Sequence, residues 1–320
     1  MKNFEQHTLN KESLEKDPRQ IFETEVMRDD VVDFFLSKTP EELTEEFGPE
    51  VARMVNYDQQ NIHHCYDLWE HTLRTVETIP QDKTDSVKLR VAAFFHDIGK
   101  PEVAKVNEQT GMKQFFNHPE HSEAIAKPLL ESLGYQEDEV KQIGFLIAHH
   151  DDFMSYKSTP VPKNHAFLRD INANTVAERI IANKFNFEKM GYDKFQTQAI
   201  IYQLAHSSSP DFTLGVDQDG QPKKVIFDPI DMKTVASQIQ SGNYSAEYQP
   251  SILDYYMLLA ICCADSSAQA EDAIIKLPDG NEIHSTRRDK IDNVIRINDC
   301  LEEAFAVAES AVSPESLKNF

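Results

Sequence analysis

Apolar residues recur along most of this chain at intervals of three and four, the spacing of one helix face, with short alternating stretches in between. QIFETEVMRDDVVDFFLSK sets Ile21, Val26, Val31, Phe34 and Phe35 near helical spacing, and TPEELTEEFGPEVARMV offers a second helix. NIHHCYDLWEHTLRTVETI repeats apolar positions at Ile62, Tyr66, Trp69, Leu73 and Val76. SVKLRVAAFFHDIG is apolar nearly all round, which predicts a buried central helix closed by Gly99 as its C-terminal cap. VAKVNEQTGMKQFF alternates on both sides of a Thr-Gly turn and predicts a β-hairpin. His118-Pro119 then opens a helix that Gly134 ends and Pro128 should kink, and EDEVKQIGFLIAHHDD is a further helix.

The second half continues in kind. TVAE at 175–178 reads as a capping box that starts a helix. YDKFQTQAIIYQLAH is another, and FTLGVDQDGQPKKVIFD a hairpin turning at Asp-Gly. SILDYYMLLAICCADSSAQA is strongly apolar, IIKLPDGNEIHS suggests a third hairpin, and residues 287–311 a last helix. The pattern predicts a mainly α fold with a few short β-hairpins and no Gly/Ser-rich linker between domains.

Composition sharpens this. Apolar residues make up 40% of the 320, with only 10 glycines, as expected of an ordered helical protein able to bury a sizeable core. The 54 acidic against 32 basic residues leave a formal charge of −22, a field that repels phosphate backbones. Broad binding to nucleic acid or to anionic membranes is therefore not expected. A small anionic substrate needs a locally positive site, which bound metal ions supply well. The four cysteines (Cys65, Cys262, Cys263, Cys300) lack CxxC spacing, the N-terminus has no signal-peptide core, and YYMLLAICCA is about half a membrane span. A reduced, soluble, cytoplasmic chain is expected.

Titratable residues fall at the ends of the apolar helices. His71 follows Trp69-Glu70; His96 and Asp97 end the central helix; His118 opens another, with His121 one turn on; His149 and His150 end FLIAHH; Asp265 is embedded in LLAICCADSSAQ. Singly, each has a plain explanation as a hydrogen-bonded core or surface residue, although an aspartate in an apolar helix is costly unless paired or bound to a cation. Jointly they mark the polar edges of four apolar helices. Imidazoles with carboxylates suit iron, manganese, nickel or zinc, and mixed sites accept magnesium.

The ordered set His71, His96-Asp97 and Asp265 resembles the signature of the HD-domain superfamily of metal-dependent phosphohydrolases. The run from WEHTLRTV through FFHDIGK and FFNHPEHSEA to FLIAHHD is similar to the HD part of the tRNA nucleotidyltransferase and poly(A) polymerase family. The glycine-rich, double-aspartate head of those nucleotidyltransferases is absent, so neither CCA addition nor polyadenylation is expected. The resemblance implies an HD helical bundle over 56–275 with an insertion at about 155–245; the residue pattern adds a helical extension at 1–55 and a C-terminal hairpin and helix at 276–320, expected to pack on the bundle. It implies two divalent metal ions: His71, His96, Asp97 and Asp265 on the first, Asp97 bridging to a second held by His118 and one or both of His149 and His150. Some relatives, the HD-GYP cyclic-dinucleotide phosphodiesterases, add a carboxylate one turn before the first histidine and can hold a third metal. Asp67 stands there, but the GYP element is missing after HHDD.

The implied activity is hydrolysis of a nucleotide or other small phosphoester by metal-activated water. Asp97 would hold that water, and Lys100 or Arg74 would neutralise phosphate charge. Two alternatives share the ligand set: a di-iron oxygenase of the same superfamily, and a non-catalytic nucleotide-sensing HD module.

Overall fold

The structure is a computed structural model that describes residues 17–60, 64–82, 85–153, 156–157, 169–207, 213–216, 222–224, 230–269, 274–276, 282–284 and 287–320. Residues 1–16 of the N-terminal extension, Ile62, and the Asp219-Gly220 turn lie outside them.

Among the described residues the N-terminal segment forms four short helices, α1 (Pro18–Val26), α2 (Val31–Leu36), α3 (Pro40–Phe47) and α4 (Pro49–Ala52), where the pattern predicted two. Within α1 the buried face carries Phe22 and Val26, four positions apart, so Ile21 lies off that face and is 41% exposed. A Thr39–Glu42 capping box starts α3, and Gly48 at φ +92° ends it. These helices lay Phe22, Phe35 and Phe47 against Phe94, with ring centroids 5.1, 5.2 and 5.4 Å away. Trp69 meets the same ring edge-on at 5.4 Å.

Phe94 belongs to α6 (Ser86–Phe95), the buried central helix, which lies beside α5 (Leu68–Thr78). The predicted helix over 61–79 starts only at Leu68, because the Asp67 carboxylate accepts the Glu70 N–H as an N-cap. One residue breaks the apolar pattern of α6. Arg90 is buried, and its guanidinium donates to the main-chain carbonyls of Ile79 (2.8 Å), Val26 (2.8 Å), Arg28 (3.2 Å) and Glu77 (3.4 Å). It thereby ties together the last turns of α1 and α5. Burial pulls its pKa below the ordinary value.

A tight turn joins α6 to α7 (Lys100–Val103), and β1 (Lys105–Val106) pairs antiparallel with β2 (Lys113–Gln114). Then α8 (His118–Leu133) runs through Pro128 to Gly134 at φ +96°, and packs on α9 (Glu137–Ala148). Gly99 does not cap α6: its φ is −81°. It is glycine because α8 comes too close for a side chain, since a Cβ would sit 2.7 Å from the Ser122 nitrogen. Its N–H donates to Ser122 Oγ at 3.0 Å.

Beyond β3 (Tyr156–Lys157), which pairs parallel with β4 (Arg169–Asp170), come α10 (Ala173–Lys184) and α11 (Lys194–His206). The capping residue of α10 is Asn172, with Thr175 as its partner three positions on, so TVAE lies within the first turns rather than before them. The hairpin β5 (Thr213–Val216)–β6 (Pro222–Lys224) precedes α12 (Met232–Ser241), a helix the pattern did not predict. The apolar α13 (Ile252–Ala268) packs on α5, α6 and α9. The hairpin β7 (Ile274–Lys276)–β8 (Glu282–His284) leads to α14 (Arg287–Ala311), which packs along α10 and α13, and to α15 (Pro314–Leu317). The fold is mainly α with short hairpins. Among the described residues no helix is long and apolar enough to cross a membrane.

Candidate metal centre

Five helices meet at one buried point. His71 comes from the first turn of α5, His96 and Asp97 from the end of α6, His118 from the start of α8, His150 from just beyond α9, and Asp265 from the last turns of α13. All six side chains are buried. Two groups form, each with its potential ligand atoms within 4.8 Å of one another: His71, His96, Asp97 and Asp265; and Asp97, His118 and His150. Asp97 belongs to both through different oxygens. Its Oδ2 is 3.4 Å from His71 Nε2 and 3.2 Å from His96 Nε2, while its Oδ1 is 3.1 Å from His118 Nε2 and 3.6 Å from His150 Nε2. Asp265 Oδ1 completes the first group at 2.9 Å from His71 Nε2.

Each imidazole is oriented the same way. Nδ1 meets a main-chain carbonyl in every case: Ala268 for His71 (3.3 Å), Ala93 for His96 (2.7 Å), Phe115 for His118 (2.8 Å) and Ile147 for His150 (2.7 Å). A carbonyl only accepts, so each Nδ1 must carry the proton. The four Nε2 lone pairs then converge on the two carboxylates. Nε2 of His71 and His96 and both oxygens of Asp97 lack an aligned hydrogen-bond partner despite such close neighbours. Buried nitrogen and oxygen atoms set this close offer a cation ready-made partners. A divalent cation in each group fits the donor set, imidazole nitrogen with carboxylate oxygen, and the fixed Nδ1–H is the support that metal-bound histidines use.

Electrostatics agree. Burial would raise the pKa values of Asp97 and Asp265, yet the surrounding imidazoles, and for Asp97 also the Lys100 ammonium, hold both well below the usual carboxylate range. Burial opposes a charge on His96, but Asp97 and Asp265 raise it to about 9. The carboxylates thus attract positive charge strongly, and protons and metal ions compete for it.

Lys100 is buried with its ammonium 2.6 Å from Asp97 Oδ2 and 3.2 Å from Gln59 Oε1. His149 turns away from the cluster and pairs with Asp152 at 2.9 Å, because the chain reverses at the end of α9 and only one of two adjacent residues can face inward. Asp67 is occupied as the α5 N-cap. Arg74 lies one turn further out, held by Glu70 at 2.7 Å and stacked 4.3 Å over Tyr66, away from the cluster. His121 pairs with Glu102 at 2.8 Å.

Two further residues, which the helical pattern does not single out, stand beside the cluster. The half-exposed Asp151 carboxylate lies 3.5 Å from His118 Nε2 and 3.9 Å from His150 Nε2, a further donor beside the second group. Its signal was the second half of HHDD. His64, from IHHCYD, packs edge-on against His71 at 4.8 Å with its Nδ1 buried and unpartnered. Burial, then the Lys100 charge, holds it neutral.

The cluster forms the floor of an open cleft of about 530 Å³, lined also by Lys113, Phe116, Arg179, Gln269 and Lys290. Phe116 is 65% exposed.

Residues 61–185 match the HD domain family. A CC-adding tRNA nucleotidyltransferase of Thermus thermophilus is 32% identical over 108 residues, covering 32% of this chain and 24% of that protein. The chain therefore matches about a quarter of the relative's length.

Proposed function

We propose that this chain, which carries an HD domain at residues 61–185, is a metal-dependent phosphohydrolase acting on a nucleotide or a similar small phosphoester. The observation that carries this reading is the convergence of four Nδ1-anchored imidazoles on two carboxylates, one of which faces both groups. His71, His96, Asp97 and Asp265 would hold one divalent cation, and Asp97, His118 and His150 a second. When bound, such a pair of cations activates water and neutralises phosphate oxygens for in-line displacement.

The chain's own residues do the rest. Asp97, fixed between two imidazole pairs, holds the centre together. Lys100 lies on the cleft wall and offers its ammonium to a phosphate oxygen as negative charge develops there. Asp151, half-exposed beside His118, is placed to accept a proton from an incoming water. The exposed ring of Phe116 at the cleft rim supports a substrate with a flat, stackable part, which favours nucleotides over simple sugar phosphates.

The test is phosphate release from a panel of nucleotides and aryl phosphates by protein loaded in turn with manganese, iron, nickel, zinc and magnesium. Activity with at least one metal, abolished in Asp97→Ala, is expected. Metal-replete protein that hydrolyses nothing on the panel would overturn the reading.

A further inference from the structure

Four cationic side chains line the cleft above the cluster, in a chain whose formal charge is −22. Two of them face carboxylates: Lys100 lies 2.6 Å from Asp97, and Arg179 3.3 Å from Asp152. Lys113 and Lys290 differ. Lys113 Nζ donates to the main-chain carbonyl of Asp58 at 2.7 Å and sits 4.2 Å from the centre of the Tyr57 ring. The Asp58 carboxylate itself accepts the Gln60 N–H at 2.8 Å. Lys290 Nζ donates at 2.8 Å to the neutral side-chain amide of Gln269, the C-cap residue of α13, through its Oε1. Among the described residues neither ammonium has a carboxylate at ion-pair distance.

A carbonyl, an amide oxygen and an aromatic face fix the position of an ammonium without cancelling its charge. Gln269 also donates to Asp265 Oδ2 at 3.4 Å, so Lys290 is anchored to the frame of the cluster itself. Lys113 stands on β2 and Lys290 on α14, and neither element supplies a cluster histidine or aspartate. In a protein this acidic, two ammonium groups lining one cleft, neither at ion-pair distance from a carboxylate among the described residues, serve a ligand better than they serve the fold.

We infer that Lys113 and Lys290 form a subsite for a second phosphate on the substrate, distinct from the phosphoryl group at the cluster. The substrate class is then a small molecule carrying two separate phosphates. This rests on the phosphohydrolase reading and narrows it.

The experiment is calorimetric binding of adenosine 5′-monophosphate and adenosine 3′,5′-bisphosphate to the full chain, metal-loaded and after chelation, with phosphate release followed in parallel. The bisphosphate should bind at least about tenfold more tightly than the monophosphate, the scale of one charge-assisted contact. In Lys113→Gln/Lys290→Gln that advantage should fall to within about twofold, with metal content and monophosphate affinity unchanged. Lys113→Arg and Lys290→Arg, which keep the charges, should retain most of it. A bisphosphate that binds no tighter than the monophosphate, or an advantage that survives the double variant, overturns the subsite. Absence of phosphate release from both nucleotides strikes at the hydrolase reading instead, and the affinity difference still decides the subsite.

Discussion

His118 and His150 face each other through Nε2 at 3.2 Å, while each commits its Nδ1 proton to a carbonyl three residues earlier in the chain. Two lone pairs cannot approach so closely unless a proton or a cation lies between them. The same holds across Asp97, where His71 and His96 point unpartnered Nε2 atoms at Oδ2.

Elemental analysis of protein purified without chelator should find two transition-metal equivalents per chain. His150→Ala should lower this to one, by emptying the group it belongs to. His71→Ala should also leave one, and Asp97→Ala none, because among the described residues only Asp97 serves both groups. Equal loss in all three variants would contradict two separable sites.

Metal uptake should depend on pH in a defined direction. Binding requires neutral imidazoles, and His96 in the metal-free cluster keeps its proton up to about 9. Affinity, measured by competition with a chelator, should therefore rise steadily from pH 6.5 towards 9. Stability of the chelated protein runs the other way. A histidine pKa raised on folding contributes stability that is fully present below its unfolded value of 6.5 and is lost as pH rises through about 9. Denaturation of chelated protein should show that decline, and the metal-loaded protein should lack it.

Gly99 sets how closely α8 approaches the turn after His96-Asp97. A Cβ there would press within 2.7 Å of the Ser122 nitrogen, which is main chain and cannot swing aside. Gly99→Ala should cost about 1–3 kcal/mol in chemical denaturation. Because it moves His118 away from Asp97, it should weaken the second metal more than the first. A variant that retains both ions at wild-type affinity would refute this role.

Arg90 is a test of the frame rather than of the site. Arg90→Met keeps the volume and strands the carbonyls of Val26 and Ile79 without a donor. A loss of about 3 kcal/mol is expected in urea denaturation, since buried acceptors left unpaired cost more than the bonds contributed. A loss under about 1 kcal/mol would mean that water replaces the guanidinium.

Much of this was legible in the chain itself. The buried helix ending in His96-Asp97 stood out because apolar residues surround it, and Asp265 because a carboxylate inside YYMLLAICCAD has no cheap place to go. The choice between His149 and His150 was not legible, since it depends on how α9 unwinds into the following turn. Asp67 and Arg74 have the right spacing from His71, but spacing on a helix says nothing about a competing local partner, here the Glu70 N–H and the Glu70 carboxylate. Lys113 and Lys290 are 177 positions apart in the sequence (290 − 113), and only tertiary packing brings them to one cleft.

The side chains of the first group extend from His71 to Asp265, a span of 194 positions (265 − 71). An ion gripped by both ends acts on the unfolded chain as a crosslink across a very long loop. For a covalent tie of that length the chain-entropy gain is about 5 kcal/mol, an upper measure for a reversible one. With an ion bound there, loading and folding would be one linked equilibrium, in which removing the ion would loosen the tether between the chain's first third and its last.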